Sequence, residues 1–317
     1  MHRVLLLLVT TMILSACGAG PAAQAVSEAP VVDAERLMAD LRYLASDELA
    51  GRGVGTPGNA AAREYIVSAF ERIGLAPVAG SYTHAFRFTG RRDGVEREGV
   101  NVLGVVEGTT HPDRWIVVTA HYDHVGIGRP DESGDSIYNG ADDNASGTAA
   151  LLALAAYFKE HRPAHTILFA ALDAEEMGLQ GARALVAQPP VPLEQIVANV
   201  NMDMVSRGDK GELYAVGTYH YPQLLPLVER IAARSKITLL TGHDRPDLPP
   251  GDDWTMASDH GPFHRAGIPF LYFGVEDHPD YHRPSDEADK VDPAFYAAAV
   301  ETVIDAVREI DREPPKR

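Results

Sequence analysis

Gly140-Ala141-Asp142-Asp143-Asn144-Ala145-Ser146-Gly147 places two carboxylates and a carboxamide in one glycine-bounded turn. Small residues surround the acids, so the backbone can turn tightly and direct a carboxylate inward. A helical pattern of apolar residues follows directly, over residues 148–158. The same composition is also typical of a solvated helix start. The turn alone therefore leaves two interpretations open, a helix cap or a loop that presents acids to a ligand.

Strand-like segments rich in β-branched residues lie on both sides of this turn. Residues 100–106 and 115–120 form a pair, and the almost wholly apolar residues 166–172 are typical of a buried parallel strand. Further strand patterns occur at 196–200 and 268–273, and weaker ones occur at 213–216 and 238–241. Helical patterns occur at 33–44, 56–73, 181–187, 222–234 and 293–310. This alternation predicts an α/β fold, a three-layer αβα sandwich with a mixed, mainly parallel central sheet.

The bulk composition is that of an ordinary globular protein. The chain has 317 residues, of which 45% are hydrophobic and 23% are charged. This length and hydrophobic content are enough for a large core. Its formal net charge of −17 argues against nucleic acid or an anionic membrane surface as the main partner. No internal repeat and no second block of composition is visible. We therefore predict one domain over residues 33–310 and a short tail over 311–317.

The N-terminal residues have the pattern of a targeting segment. A short positive start precedes an apolar run over residues 4–14, which is too short to span a bilayer comfortably. Leu14-Ser15-Ala16-Cys17 resembles a bacterial lipobox, which predicts a lipoprotein signal peptide over 1–17, acylation of Cys17 and a flexible tether over 18–32. Gly18 favours an outer-membrane location facing the periplasm. The predicted contact with the membrane is through the lipid anchor only. An ordinary signal peptide with an incidental cysteine is the alternative.

Acidic and imidazole side chains follow several of the predicted strands. His121, Glu176 and Asp203 each come just after a strand, and Asp143 lies in the central turn. Because ligands of open α/β sheets bind at the carboxyl ends of strands, we expect these residues to lie together. Imidazoles and carboxylates without thiolates suit zinc or a similar divalent metal. Crowded acids raise one another's pKa unless cations hold them, and a pair of metals sharing a carboxylate meets that requirement.

Six segments of the chain resemble, in order, the motifs of the zinc metallopeptidase family M28. The similarity runs from about residue 44 to residue 292, and within the family it points to the bacterial aminopeptidases. The segments are His121-Tyr122-Asp123, residues 140–147, Asp173-Ala174-Glu175-Glu176-Met177-Gly178, Asn201-Met202-Asp203-Met204, Ser258-Asp259-His260 and Tyr281-His282-Arg283-Pro284-Ser285-Asp286.

The resemblance implies a zinc-dependent aminopeptidase that binds two zinc ions per chain and acts on peptides with a free N-terminus. It implies that Asp143 bridges the two metals. Glu176 and His282 then complete one metal position, and His121 and Asp203 complete the other. Because the family's motif set is present in order, all five ligand positions are carried over residue by residue.

The resemblance also implies the residues that act around the metals. Glu175 is the general base toward a water that the two metals share, and Asp123 is the acceptor that orients His121. The peptide bond between Asp143 and Asn144 is expected to be cis. His124 and His260 lie near the motifs and are candidates for substrate contact, whereas the other histidines are assigned to surface or structural positions.

One position departs from the family pattern. A well-known small aminopeptidase of the family has a tyrosine three residues before Ser-Asp-His that helps to hold the oxyanion, and Thr255 occupies that position here. Tyr219, Tyr272 and Tyr281 are the candidates for a replacement donor, and none of them is assigned. Loops over residues 126–140 and 242–253 are predicted to set specificity.

Three other functions remain open for this fold. A glutaminyl-peptide cyclotransferase would use a single zinc, and a carboxypeptidase would accept peptides with a blocked N-terminus. A non-catalytic binding protein is disfavoured because such relatives have lost ligands and this chain keeps all five, together with the base. The oligomeric state and the preferred N-terminal residue are left open.

Overall fold

The computed structural model describes residues 31–91, 93–249 and 251–316. The predicted signal peptide, its Cys17 and the tether up to residue 30 lie outside the described residues. The chain from Val31 onward forms a single compact unit. Among the described residues, no helix combines the length and the apolar character that crossing a membrane requires.

Strands β1 to β11 lie, in chain order, at Ala76–Pro77, Thr83–Thr89, Glu96–Val106, His111–His121, Gly126–Ile127, Ile137–Tyr138, His165–Leu172, Ile196–Met202, Glu212–Val216, Thr238–Thr241 and Phe270–Gly274. Nine of them form the central sheet, in the order β1-β3-β7-β4-β8-β11-β9-β10, with β2 paired to β3. The four central strands β7, β4, β8 and β11 are mutually parallel, whereas β1, β2 and β3 pair antiparallel. The structure therefore confirms the predicted mixed sheet, and its four central strands are parallel.

Helices α1 to α7 lie at Ala34–Leu44, Pro57–Ile73, Gly147–Glu160, Gln180–Ala187, Leu225–Ala232, His260–Arg265 and Pro293–Arg312. The predicted helix boundaries rest on local chemistry that the structure confirms. The Asp33 side chain caps α1, the Thr56 side chain caps α2, and Gly74 ends α2 in the left-handed conformation. The segment predicted as one helix over 222–234 begins with a 3-10 turn at Pro222–Leu224 before α5 starts.

Two apolar layers cover the two faces of the sheet. In β4, Ile116 and Val118 belong to the larger core with α1, α2, α3 and α7, whereas Val117 between them faces the smaller core with α4 and α6. In β7, Phe169 and Leu168 divide between the cores in the same way. Because successive side chains of a strand point to opposite faces, strands buried on both sides need continuous apolar runs. The fold is the predicted three-layer αβα sandwich.

A short hairpin and a short helix were not predicted from the sequence. Strands β5 and β6 form a short hairpin within residues 126–140, which the composition predicted as a loop. Helix α6 begins at the Ser-Asp-His motif and has only six residues. Both elements are too short to show a clear period, since a helix or strand pattern needs several turns or alternations to stand out.

Candidate metal centre

Three neighbouring strand ends bring the first site residues together. Strand β4 ends at His121 and lies between β7 and β8, to which it is parallel. Glu175 and Glu176 follow β7, and Asp203 follows β8 directly. Because the three strands run in the same direction, their carboxyl ends share one edge, as the sequence predicted.

The central turn is buried from Ala141 to Ser146. The Asp142 carboxylate accepts hydrogen bonds from the Ser206 backbone N–H at 2.8 Å and from its hydroxyl at 2.7 Å. The Asp286 carboxylate accepts from the backbone N–H groups of Asp142 and Asp143, at 3.1 Å each. The interpretation as a solvated helix start is therefore wrong. The Asp143–Asn144 peptide bond is cis, as predicted.

The first group of potential metal ligands is formed by His121, Asp143 and Asp203. His121 Nε2 lies 3.4 Å from Asp143 Oδ1 and 3.3 Å from Asp203 Oδ1. All three residues are buried, and their ligand atoms lie within 4.8 Å of one another. An imidazole and two carboxylates thus face a common point from three different segments of the chain.

Asp123 connects this group to the segment after β7. His121 Nδ1 lies 3.2 Å from the Asp123 backbone oxygen and 3.6 Å from its Oδ1, so the nearer acceptor is the carbonyl. The Asp123 carboxylate accepts hydrogen bonds from the backbone N–H groups of Glu175 and Glu176, at 3.0 and 3.3 Å. Asp123 therefore holds the His121 ring and the position of the Glu-Glu pair at the same time.

The second group contains Asp143 again, with Glu176, His282 and His124. His282 Nε2 lies 3.0 Å from Asp143 Oδ2 and 3.3 Å from Glu176 Oε1. His124 Nδ1 lies 2.7 Å from Glu176 Oε1 and 3.8 Å from Asp143 Oδ2. The four ligand atoms lie within 4.8 Å of one another. The two carboxylate oxygens of Asp143 therefore face different groups.

The pKa values of this second group show how strongly the acids attract positive charge. Burial alone would raise the pKa of Asp143, but His124, His121 and His282 hold it well below its usual range. Burial and Asp143 would raise the pKa of Glu176, yet His124 and His282 lower it to about 2. Burial lowers the pKa of His282, but hydrogen bonds with Asp143 and Glu176 raise it to about 10. The carboxyl pKa values of this group thus fall where imidazoles face them, which shows that the site attracts positive charge.

The distances between donor atoms allow a test of whether a metal fits. Zinc bound tetrahedrally at about 2.0–2.2 Å needs donor atoms about 3.3 Å apart. The His121 contacts with Asp143 and Asp203 and the His282 contacts with Asp143 and Glu176 range from 3.0 to 3.4 Å. Both the spacing and the nitrogen–oxygen donor set therefore fit a zinc-like cation in each group.

Glu175 lies beside both groups. It lines a cavity of about 80 Å³ together with Asp143, Asp203 and His282. Burial raises the pKa of Glu175 well above its usual range; His121 opposes this shift, while Glu176 and Asp203 add to it. Bound dications would act in the same direction as His121. Glu175 is thus a carboxylate whose proton affinity depends on its neighbours, as a group that must take up and release a proton requires.

Three non-glycine residues of the site adopt positive φ angles. Ala174 has φ 59°, directly before Glu175, and Met204 has φ 60°, directly after Asp203. His282 itself has φ 51°. Such conformations cost free energy and persist where the surrounding structure enforces them, typically at functional sites. The backbone is therefore strained where it presents the site residues.

The tyrosine candidates for oxyanion contact occupy different places. Tyr272 and Tyr281 line the cavity that contains Glu175, whereas Tyr219 is 52% exposed. The Tyr272 hydroxyl donates to the backbone oxygen of Asp203 at 3.3 Å. Thr255, at the position of the missing tyrosine, is paired with His220 at 2.9 Å. The structure brings two of the three tyrosines to the site.

His124 is the residue that sequence reasoning placed least well. It was a candidate for substrate contact, but its ring contacts Glu176 within the second group. The signal was present in the sequence, since His121 and His124 follow the same strand three residues apart. A larger cleft of about 920 Å³ opens on this side of the group, with His124, Glu176 and His282 in its wall. His260 instead lies stacked on Tyr272, at 4.6 Å between ring centroids.

Comparisons with known proteins agree with this architecture. Residues 101–307 match the model of peptidase family M28, which is more than half of the chain. The chain is 32% identical to aminopeptidase YwaD of Bacillus subtilis (strain 168) over 227 residues, covering 68% of this chain and 46% of that protein. The chain spans about half the length of the first curated relatives it matches.

Solved structures share the fold. A glutaminyl cyclase of Porphyromonas gingivalis superposes with a TM-score of 0.72 at 19% identity, over 89% of this chain and 99% of that chain. A leucine aminopeptidase precursor of Bacteroides thetaiotaomicron VPI-5482 superposes with a TM-score of 0.70 at 19% identity, over 87% and 97%. The sequence motifs, the fold, the grouped ligands and the family match all agree, and the chain belongs to peptidase family M28.

Proposed function

We propose that this protein is a zinc-dependent aminopeptidase that hydrolyses the N-terminal peptide bond of peptides at a site with two metal ions. One observation carries the proposal: the two oxygens of Asp143 face two separate groups of potential ligands, with Glu175 in the same cavity. Such an arrangement is typical of two-metal hydrolytic sites, in which one carboxylate serves both ions.

Asp143 with His121 and Asp203 would hold one zinc ion, and Asp143 with Glu176 and His282 would hold the other. When bound, the zinc ions supply the Lewis acidity that activates water and polarises the scissile carbonyl. The positive charge of the ions would then balance the buried carboxylates of Asp143 and Glu176. The proposed role of the ligands therefore agrees with the pKa shifts of Asp143 and Glu176.

Glu175 would carry out the proton transfers. As the water oxygen attacks the carbonyl carbon, its proton moves to a carboxylate oxygen of Glu175, and the same proton then passes to the nitrogen of the leaving amine. The hydrogen bond from the Glu175 N–H to the Asp123 carboxylate fixes the backbone from which this side chain extends. Asp123 would thereby position the base as well as the His121 ring.

The charge around the cavity favours a substrate with a free amine. Asp277 and Asp203 line the same cavity as Glu175, and Asp277 is exposed. The net charge of −17 adds a long-range attraction for cationic groups. An N-terminal ammonium group would therefore find acidic partners next to the reacting bond. An acetylated N-terminus has no positive charge and would not form these ion pairs.

The proposal predicts a defined pattern on a panel of substrates. Aminoacyl-anilides and short peptides with free N-termini should be hydrolysed, while their N-acetylated counterparts should remain intact. Removing metal with a chelator should abolish turnover, and added zinc should restore it. Faster cleavage of N-blocked peptides from the C-terminal end would instead identify a carboxypeptidase. Conversion of an N-terminal glutamine to a cyclised residue with release of ammonia would identify a cyclotransferase.

Metal content separates the aminopeptidase from the cyclotransferase independently of any substrate. The aminopeptidase requires two zinc ions per chain, whereas the cyclotransferase requires one. The His121, Asp143 and Asp203 group supports the higher number because its ligand atoms are already grouped. A zinc-loaded preparation with a single ion per chain would favour the cyclotransferase.

We also propose that the protein is lipid-anchored at Cys17 in the cell envelope, at the outer membrane facing the periplasm. The lipobox-like segment over residues 14–17 supports this location. In a bacterial host, the unaltered chain should sediment with the membranes, and the Cys17→Ser variant should move to the soluble periplasmic fraction. Because acylation of Cys17 would hold the protein at the membrane, identical fractionation of the two forms would contradict the proposed lipid anchor.

A further inference from the structure

We propose that His124 is a fourth protein ligand at the metal position formed by Asp143, Glu176 and His282, so that the two metal positions are unequal. One metal position would then have four protein ligands. The other would have three protein ligands and an open coordination site. The inference rests on the proposed two-metal site and adds a ligand that the motif resemblance does not assign.

The geometry around His124 Nδ1 supports the ligand role. This atom lies 2.7 Å from Glu176 Oε1 and 3.8 Å from Asp143 Oδ2, while His282 Nε2 closes the other side at 3.3 and 3.0 Å from the same two oxygens. The four ligand atoms lie within 4.8 Å of one another. Their separations scatter around the roughly 3.3 Å expected between donors of a tetrahedral zinc site.

The surroundings of the ring direct one of its nitrogens toward the carboxylates. His124 is buried, and its Nε2 has no hydrogen-bond partner among the described residues. A side chain on Gly140 would meet the ring at 2.5 Å, so the backbone of the central turn packs directly against it. The ring is thus held by packing with its Nδ1 turned toward the carboxylates. A buried imidazole whose Nδ1 faces two carboxylates presents a lone pair where a cation held by those carboxylates would lie.

The other group has no such fourth residue. Among the described residues, His121, Asp143 and Asp203 form a group of three, and the neighbouring cavity contains Glu175. Zinc sites with four protein ligands are typically closed and tight, whereas sites with three keep a place for water or substrate. The position that includes His124 would therefore hold its metal ion more tightly than the position of His121, Asp143 and Asp203.

The competing explanation is that His124 only donates a hydrogen bond to Glu176. An Asn at this position separates the two roles, because its amide N–H lies near the place of Nδ1 and can donate, but it binds zinc poorly. An Ala removes both the donor and the ligand. The pair His124→Asn and His124→Ala therefore distinguishes ligation from hydrogen bonding, and the exposed His161→Asn serves as the matched control.

The test is a titration of the metal-free full chain with cobalt(II), followed by d–d absorption and by metal content. The unaltered protein should bind two ions in two steps of different affinity. In both His124 variants, the Kd of the tighter step should rise by more than the roughly 10- to 100-fold that contacts outside the metal shell contribute. The absorption of that step should also change, while the His161→Asn titration stays as in the unaltered chain.

Two results would overturn the inference. Unchanged Kd values and spectra in His124→Asn, with loss only in His124→Ala, would reduce His124 to a hydrogen-bond donor. Two steps that remain unchanged in both variants would remove it from the site altogether. Equal melting temperatures of the metal-free forms show that the variants fold. Failure of the unaltered chain to bind any cobalt would contradict the proposed function itself, which separates the two failures.

Discussion

Replacement of Glu175 by Gln is expected to leave both zinc ions in place and to lower kcat by roughly 10²–10⁴-fold, the usual contribution of a general acid–base group. The amide has nearly the same size as the carboxylate but cannot accept a proton from water. Glu175 belongs to neither of the two groups of potential metal ligands. Its replacement therefore leaves the atoms available to bind metal unchanged. The loss should therefore fall on turnover and not on metal binding.

The neighbouring Glu176 provides the matched comparison. Glu176→Gln changes the same chemical group by the same substitution one residue away, but within the ligand set. It should lose metal from one position, whereas Glu175→Gln should keep two ions per chain by atomic emission analysis. Near-normal kcat in zinc-loaded Glu175→Gln would refute the assignment of the base. Loss of zinc from that variant would instead make Glu175 a ligand.

The pH profile gives a second signature of the same residue. A base is active only when deprotonated, so activity should fall as the pH drops through the pKa of Glu175. Burial raises this pKa well above the usual range in the metal-free site, and bound dications lower it again. The residual activity of Glu175→Gln should lack this acidic limb of the profile.

The positions that sequence predicted well are those where local chemistry and periodicity agree. The apolar run that became β7 is long enough to show burial on both faces, and Asp33 and Thr56 cap their helices with the expected side-chain bonds. The strand ends then fix His121 and Asp203 at one edge of the sheet. Residues far apart in the sequence thus lie close together, because the carboxyl ends of parallel strands meet at one edge of the sheet.

Arg52 shows what such reasoning misses. Its guanidinium is fully buried and donates to the backbone oxygens of Tyr122 at 2.9 Å and Gly140 at 3.0 Å. It also contacts the carbonyls of Leu44 and Asn139. Burial lowers the pKa of Arg52 to about 10, against the attraction of Asp143 and other acids. Most of these partners lie far away in sequence, so no local pattern reveals them.

His124 was underestimated for a related reason. Its neighbour in the site, Glu176, lies 52 residues further along the chain, and only the pairing of β4 with β7 brings the two together. A histidine without a partner in the sequence looks like any buried or surface histidine. The contact between His124 and Glu176 therefore depends on strand pairing, which the position of His124 after β4 suggests but does not specify.

Asp143→Asn is expected to have the widest effect on the metal centre, because Asp143 belongs to both groups. The amide keeps the volume of the side chain but removes the charge that faces His121 on one side and His282 on the other. Zinc content should fall from two ions per chain to less than one, and turnover should be lost with it. The equivalent change at an exposed position, Asp113→Asn, should leave both quantities unchanged.

The stability of the same variant provides an independent measurement. A bound ion stabilises the fold by about 2.7 kcal/mol when its free concentration is 100 times its Kd. Added zinc should therefore raise the melting temperature of the unaltered chain and of Asp113→Asn, but not that of Asp143→Asn. In the metal-free state, the depressed pKa of Asp143 contributes stability above its unfolded pKa that is lost as the pH falls, and the variant lacks this contribution. Retention of two zinc ions and of the zinc-dependent melting shift in Asp143→Asn would contradict the bridging role.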